Sequence, residues 1–179
     1  MTLIKEDGTG KTDSNTYALV ADADAFHEGH LYATAWTGAS TANKEKALVL
    51  ATRLIDASYQ FNGAKTKTTQ ALQWPRRGAV DPDRVPVTVA WVSGMTIESS
   101  GYFESSEMPK ALVDATCEMA RELLIADRTD APDGEGLAQV SLVGSLSVTF
   151  DKKDRMPVIS ALTQAWLGKL GTLISRGSG

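Results

Sequence analysis

Three short segments of this chain carry residue types that could do chemistry or binding. Gly8-Thr9-Gly10-Lys11-Thr12 ends like a phosphate-binding loop. The full pattern needs a glycine five places before Gly10, where Lys5 stands, and a helix directly after it, where Asp13-Ser14-Asn15 favour a turn. No nucleotide is expected there. His27 and His30 are the only histidines and lie near Asp22 and Asp24. A metal needs several converging ligands, and Gly29 is expected to break the helix between the two rings, so structural histidines are expected. The third segment, Trp74-Pro75-Arg76-Arg77, sets a large aromatic and two guanidiniums on a proline corner that cannot extend a helix. Trp and Arg dominate binding hot spots, so this corner reads either as a core anchor or as a contact surface. Lys65, Lys67, Arg76, Arg77 and Arg84 make residues 64–84 locally basic, and a tryptophan beside them could stack on a nucleic-acid base.

With two histidines and one cysteine, Cys117, no nucleophile–base constellation is easy to assemble. No enzymatic activity, no cofactor and no metal are expected. Cys117 falls on a helical apolar face and reads as a small buried hydrophobe. The net charge of −4 argues against a chain that binds nucleic acid over its whole surface. The first residues lack an apolar leader, and no stretch approaches the roughly 20 apolar residues of a membrane span. The expectation is a soluble protein of a reducing compartment.

The elements that must position these residues read as mainly α. The expected fold is a small bundle of two long antiparallel helices with short helices, a β-hairpin excursion and a C-terminal strand–helix arm. Residues 1–16 read as an extended arm, and Ala21–Glu28 as a short helix stopped by Gly29. Leu48, Ala51, Ile55 and Tyr59 give the apolar stripe of a first long helix, Thr41 to Phe61, ended by Asn62-Gly63. Leu112, Ala115, Thr116, Met119 and Leu123 give that of a second, Pro109 to Asp127. Between them, residues 64–106 form an excursion in which Val85, Val87, Val89 and Trp91 alternate as a strand and Met95–Glu98 return as its partner.

Residues 129–136 read as a linker dividing a core of 1–136 from an arm of 137–179 within one structural domain. Val140, Leu142, Gly144, Leu146, Val148 and Phe150 alternate with polar residues as one long strand. Ile159, Leu162, Trp166, Leu170 and Leu173 give a final helix, Pro157 to Ile174. A long alternating strand is hazardous as a free edge, so it is expected to pair at home or be completed by a neighbouring subunit. The interface candidates are Trp74, Pro75, Arg76, Arg77, Arg84, Trp91, Phe150 and Trp166.

Taken in order, several local words match a known set. They are Asp7-Gly8-Thr9-Gly10, Ser14-Asn15-Thr16-Tyr17, Ala23-Asp24-Ala25-Phe26, Trp36 before Lys44-Glu45-Lys46-Ala47-Leu48, Ala51-Thr52-Arg53-Leu54-Ile55-Asp56, Gln70-Ala71-Leu72-Gln73-Trp74-Pro75-Arg76, and Met108-Pro109-Lys110-Ala111 with Ala115-Thr116-Cys117-Glu118. Over residues 6–128, and more loosely in the tail, the chain resembles the head–tail adaptor (head completion, or connector) proteins of tailed bacteriophages. Such sequences are often labelled DnaT-like single-stranded-DNA-binding. Where the family is expected to have a shorter polar link, this chain carries the 84–106 segment. The resemblance implies a structural virion protein that forms a homo-oligomeric, dodecameric ring under the portal protein. That ring joins the filled head to a tail or tail-nozzle protein and surrounds the genomic double-stranded DNA without reading its sequence. It also implies a place at the head–tail junction of the virion, the protein being made in the host cytoplasm, with no membrane partner. The alternative it leaves open is a single-stranded-DNA-binding module in replication.

Overall fold

The computed structural model describes residues 2–84, 101–130, 139–142, 146–149 and 157–174. Among these, five helices carry most of the regular structure: α1 (Val20–Glu28), α2 (Thr34–Thr37), α3 (Thr41–Ser58), α4 (Lys110–Ile125) and α5 (Ala161–Leu167). The strands are short: β1 (Tyr59–Phe61), β2 (Ala64–Lys65), β3 (Arg76–Arg77), β4 (Gln139–Leu142), β5 (Leu146–Thr149) and β6 (Gly171–Leu173). The fold is mainly α, as the periodicity predicts.

The helix starts follow from local chemistry. Ser40 caps α3, its Oγ accepting from the Asn43 amide at 3.3 Å. Ser160 does the same for α5 through the Thr163 amide at 3.2 Å. On α1 the third-position acid acts instead, Asp22 accepting from the Leu19 amide at 2.7 Å. Pro109 stands at the entry of α4, where its missing N–H costs nothing.

α4 is the hub. It packs against α3, α5, α1 and α2, and Leu112 and residues 114–121 are all buried. A single apolar stripe is therefore too narrow a description: Cys117, Ala120, Glu118 and Arg121 lie inside as well. The small residues Ala115, Ala120, Ala47 and Ala51 are part of the same core. Thr52 and Thr116, buried on α3 and α4, return their hydroxyls to the carbonyls four residues back, Leu48 at 2.9 Å and Leu112 at 2.8 Å. Trp36, Trp74, Tyr17, Leu167 and Leu170 fill the remaining space.

Two expectations change. The final helix does not run from Pro157 to Ile174; α5 ends at Leu167, and β6 then pairs antiparallel with β1, Tyr59 opposite Leu173 and Phe61 opposite Gly171. The same pairing ends α3 at Ser58 rather than Phe61, because residues 59–61 alternate buried, exposed, buried as a strand. Glycine is required at 171, where a Cβ would come within 2.5 Å of the Gln60 carbonyl oxygen. The stretch 140–150 is also not one strand. β4 and β5 pair antiparallel with each other, Val140 opposite Val148 and Leu142 opposite Leu146, so the alternation belongs to a hairpin. The hairpin expected around Val85–Glu98 lies outside the described residues.

Candidate functional site

The Trp-Pro-Arg corner is held from three sides. The Gln70 side-chain amide donates to the carbonyls of Leu72 and Pro75 at 2.9 and 3.0 Å, and its oxygen accepts from the Lys67 amide at 2.9 Å. Tyr17 reaches in from the N-terminal arm. Its hydroxyl donates to Asp56 at 2.5 Å and accepts from the Gln73 and Trp74 amides at 3.1 and 3.2 Å. The other Asp56 oxygen accepts from the Gln73 amide at 3.0 Å. Burial raises the Asp56 carboxyl to about 6, with the Tyr17 and Gln73 hydrogen bonds pulling the other way. Burial, then the Asp56 charge, pushes the Tyr17 phenol well above its ordinary value.

Arg76 closes the corner. Its Nε donates to the Asn62 carbonyl at 2.7 Å, Nη2 to the Gly63 carbonyl at 2.6 Å, and Nη1 to the Gln73 carbonyl at 3.1 Å. This is a rigid fork spent on backbone, which a lysine could not copy. Trp74 is wholly buried between Phe61 and Phe103, both edge-on, at ring separations of 6.0 and 5.6 Å. Its indole N–H has no hydrogen-bond partner among the described residues. Of the corner's candidates, Trp74, Pro75 and Arg76 are inside and Arg77 is exposed.

Arg84 is also committed within the chain. It binds Asp81 at 2.9 Å, Glu107 at 2.6 Å and the Tyr102 carbonyl at 3.1 Å, tying the start of the 85–100 segment to its end. Trp91 and Phe150 lie outside the described residues. Trp166 stands at the lip of a groove of about 370 Å³ between α5, the start of α4 and residues 81–83. A second groove of about 350 Å³ is lined by Leu54, Ala57, Val158, Ile159, Leu173 and Ile174, among others.

The glycine-rich loop holds an anion, but one of its own. The wholly buried Glu6 carboxylate accepts from the amides of Gly8, Gly10 and Lys11 at 3.0, 2.9 and 2.9 Å, and from the Ser14 hydroxyl at 3.0 Å. Gly8 and Gly10 adopt φ of +97° and +68° to turn these amides inward, a conformation L side chains rarely take. Among the described residues no group of three or more His, Cys, Asp or Glu could hold an ion. The buried His27 ring nitrogen Nε2 lies 3.1 Å from the Cys117 carbonyl, and desolvation lowers its pKa. His30 sits 3.8 Å from Glu118, which Arg121 already engages at 2.5 Å. Burial raises the Cys117 thiol to about 12, so it is unreactive as a nucleophile.

Most cations are neutralised by neighbours. Lys5 pairs with Asp22, Lys11 with Asp7, Lys44 with Asp24, Lys110 with Asp114, Arg128 with Glu122 and Lys169 with Asp83. Lys46, Arg53, Lys65, Lys67 and Arg77 carry no ion pair among the described residues. No helix of these residues is long and apolar enough to cross a membrane.

With this geometry in place, comparison with known families gives a match over nearly the whole chain. The model of the family described as "Putative DnaT-like ssDNA binding protein" covers residues 1–177. The chain belongs to that family. No curated protein and no solved structure matches it. In this DnaT-like chain the residues that organise the site, Glu6, Tyr17 and Asp56, were not among the sequence candidates. Only the Glu6-x-Gly8-x-Gly10 spacing carries a signal, an acid just ahead of a turn built to bind one. Tyr17 and Asp56 carry none, because their partners are distant in sequence.

Proposed function

We propose that this DnaT-like protein is a non-enzymatic structural adaptor that assembles with copies of itself at the head–tail junction of a tailed phage. The ring sits under the portal and passes the genome through its lumen. In this reading α3 and α4 are its antiparallel rigid unit, and the exposed faces of α5 and β6 meet neighbours. One observation carries the proposal. Val158, Leu162, Trp166, Leu173 and Ile174 stand exposed on one short stretch of chain, beside two grooves. Apolar surface of this extent marks protein interfaces. The local words shared with head–tail adaptors supply the assembly into which such surfaces fit.

A second reading, single-stranded-DNA binding, is the one the family description favours. Lys65, Lys67 and Arg77 favour it too, because all three lie on the 64–77 excursion without an ion pair. One experiment separates the readings. Native mass spectrometry of the chain, alone and with a portal ring, should give a ring on the portal. Filter binding to short oligonucleotides should be absent at micromolar protein. Salt-sensitive micromolar binding to single strands, with no portal complex, would replace the adaptor reading by the DNA-binding one.

A further inference from the structure

α1 and α2 are held to α4 by few side chains. The residues that α1 buries are Ala23 and His27, and on α2 Trp36 alone is buried. The His27 ring fills the joint. It lies between Trp36 and His30, at ring separations of 5.2 and 5.8 Å, with Phe26 edge-on at 4.9 Å. Its Nε2 stands 3.1 Å from the Cys117 carbonyl, which can only accept, so Nε2 carries the proton. Nδ1 is buried as well and has no hydrogen-bond partner among the described residues. A neutral ring needs one acceptor and has one. A cationic ring needs two, and a buried charge without its partners is costly.

The charged groups around the ring are engaged elsewhere. From α4 it faces the Glu118 carboxylate, which Arg121 holds at 2.5 Å, and the Arg121 guanidinium itself. From the loop after α1 it faces His30, whose Nδ1 accepts from the Tyr32 amide at 3.1 Å and whose Nε2 lies 3.8 Å from Glu118. On α1, Asp24 accepts from Trp36 Nε1 and from Lys44 of α3, both at 2.8 Å. Desolvation is the largest influence on the ring and lowers its pKa. The Cys117 carbonyl and Glu118 act against it, His30 and Arg121 with it.

Beneath the joint lies Cys117, the one cysteine of the chain and wholly buried. Asp22 of α1 and Lys5 are close enough for their charges to act on its thiol. α4 also packs against α3 and α5, contacts in which α1 takes no part.

We infer that His27 is an acid-released latch: when its ring takes a second proton, α1 and α2 come away from α4 and bare Cys117, while α3, α4 and α5 stay packed. Local opening belongs to elements with few buried contacts. The latch goes beyond the adaptor reading and is independent of it, since it works within one copy. In the opened chain the ring titrates at its ordinary 6.5. The closed state is therefore complete above that pH and is lost as pH falls below it.

The test labels Cys117 of the full-length chain with dithiodipyridine between about pH 7 and about pH 5, each rate divided by that of the chain in urea at the same pH. The ratio should rise several-fold toward acid, up to about 25-fold, the limit for one proton gained by a group that titrates at 6.5 when released. His27→Gln keeps a donor for the Cys117 carbonyl and takes no proton, so its ratio should stay low and flat. His30→Gln should rise like the parent. Hydrogen exchange in mild acid, corrected for intrinsic rates, should speed up in α1 and α2 and leave α3 protected. A parent ratio that changes by less than about twofold overturns the inference. So does a folded His27→Gln chain that still rises, a His30→Gln chain that stays flat, or exchange that loosens α3 together with α1. Should His27→Gln not fold, the parent's labelling and exchange decide alone: acid opening confined to α1 and α2 supports the latch, and a closed or globally loosened chain overturns it.

Discussion

Neutralising Glu6 tests whether the N-terminal loop is built around a carboxylate. In Glu6→Gln the shape is kept and the charge is lost. The retained oxygen can still accept from Gly8 and Gly10, now as ordinary rather than charge-assisted hydrogen bonds, a loss of about 1 kcal/mol each. The new amide group faces the Lys11 N–H and the Ser14 hydroxyl. Ser14 can rotate to accept, losing about 1 kcal/mol, but the Lys11 N–H is left opposite a donor, at about 1–3 kcal/mol. The sum is about 4–6 kcal/mol, a large share of a typical domain's stability. At roughly 2–4 °C per kcal/mol for this size, the melting temperature should fall by about 8–24 °C in scanning calorimetry. Glu6→Ala adds a second arm. It empties the nest, which should then take phosphate or acetate from solution. With a dissociation constant near 10 mM, 100 mM anion should restore about 1.4 kcal/mol to Glu6→Ala and nothing to the parent. A Glu6→Gln protein melting within about 2 °C of the parent would refute the reasoning. So would an alanine variant indifferent to anions.

Trp74→Ala should cost about 3–5 kcal/mol in urea unfolding, since a wholly buried indole between two phenyl rings is removed. Arg76→Lys should cost about 2–3 kcal/mol in the same assay, because an ammonium cannot span the Asn62, Gly63 and Gln73 carbonyls together. The Asp56 carboxyl, raised from its ordinary 3.8 to about 6 on folding, binds its proton more tightly in the folded chain. Its contribution is therefore present in full below pH 3.8 and lost as pH rises through 6, and Asp56→Asn should remove that slope. His27 acts in the opposite sense. Its folded pKa lies below 6.5, so its contribution is complete above pH 6.5 and declines as pH falls below it. A histidine ring titration by NMR should place the His27 midpoint below 6.5 in the folded chain.

The parts of the fold that were legible in the sequence are those fixed by neighbours three and four residues away. The stripes Leu48–Ala51–Ile55 and Leu112–Ala115–Met119 predicted α3 and α4, and Gly29 and Pro109 marked a stop and a start. What failed was periodicity without its partner. Ile159, Leu162, Trp166, Leu170 and Leu173 have helical spacing, yet Leu162 and Trp166 stand exposed on α5, and pairing with β1 takes Leu173 out of the helix after Gly168. In 140–150 the alternation is that of two strands paired with each other, Val140 opposite Val148, and alternation alone does not tell one long strand from a hairpin. The Trp-Pro-Arg corner is legible as a rigid feature, and its residue types fit a buried anchor and an exposed contact surface equally. The residues that decide between them, Tyr17 and Asp56, lie 57 and 17 positions from the amides they receive, a distance no local pattern spans.

The β1–β6 pair has a consequence for biosynthesis. Tyr59 emerges from the ribosome long before Leu173, its cross-strand partner. At 5–20 residues per second the interval is on the order of ten seconds. Through that time α3 and α4 can meet, but the seats of Ile159, Leu167 and Leu170 stand empty and the β1 edge is bare. The nascent chain thus carries sticky surface until Leu173 has been made. Chaperone engagement, if it occurs, belongs to that window, and copies translated side by side on one message meet while their edges are still open.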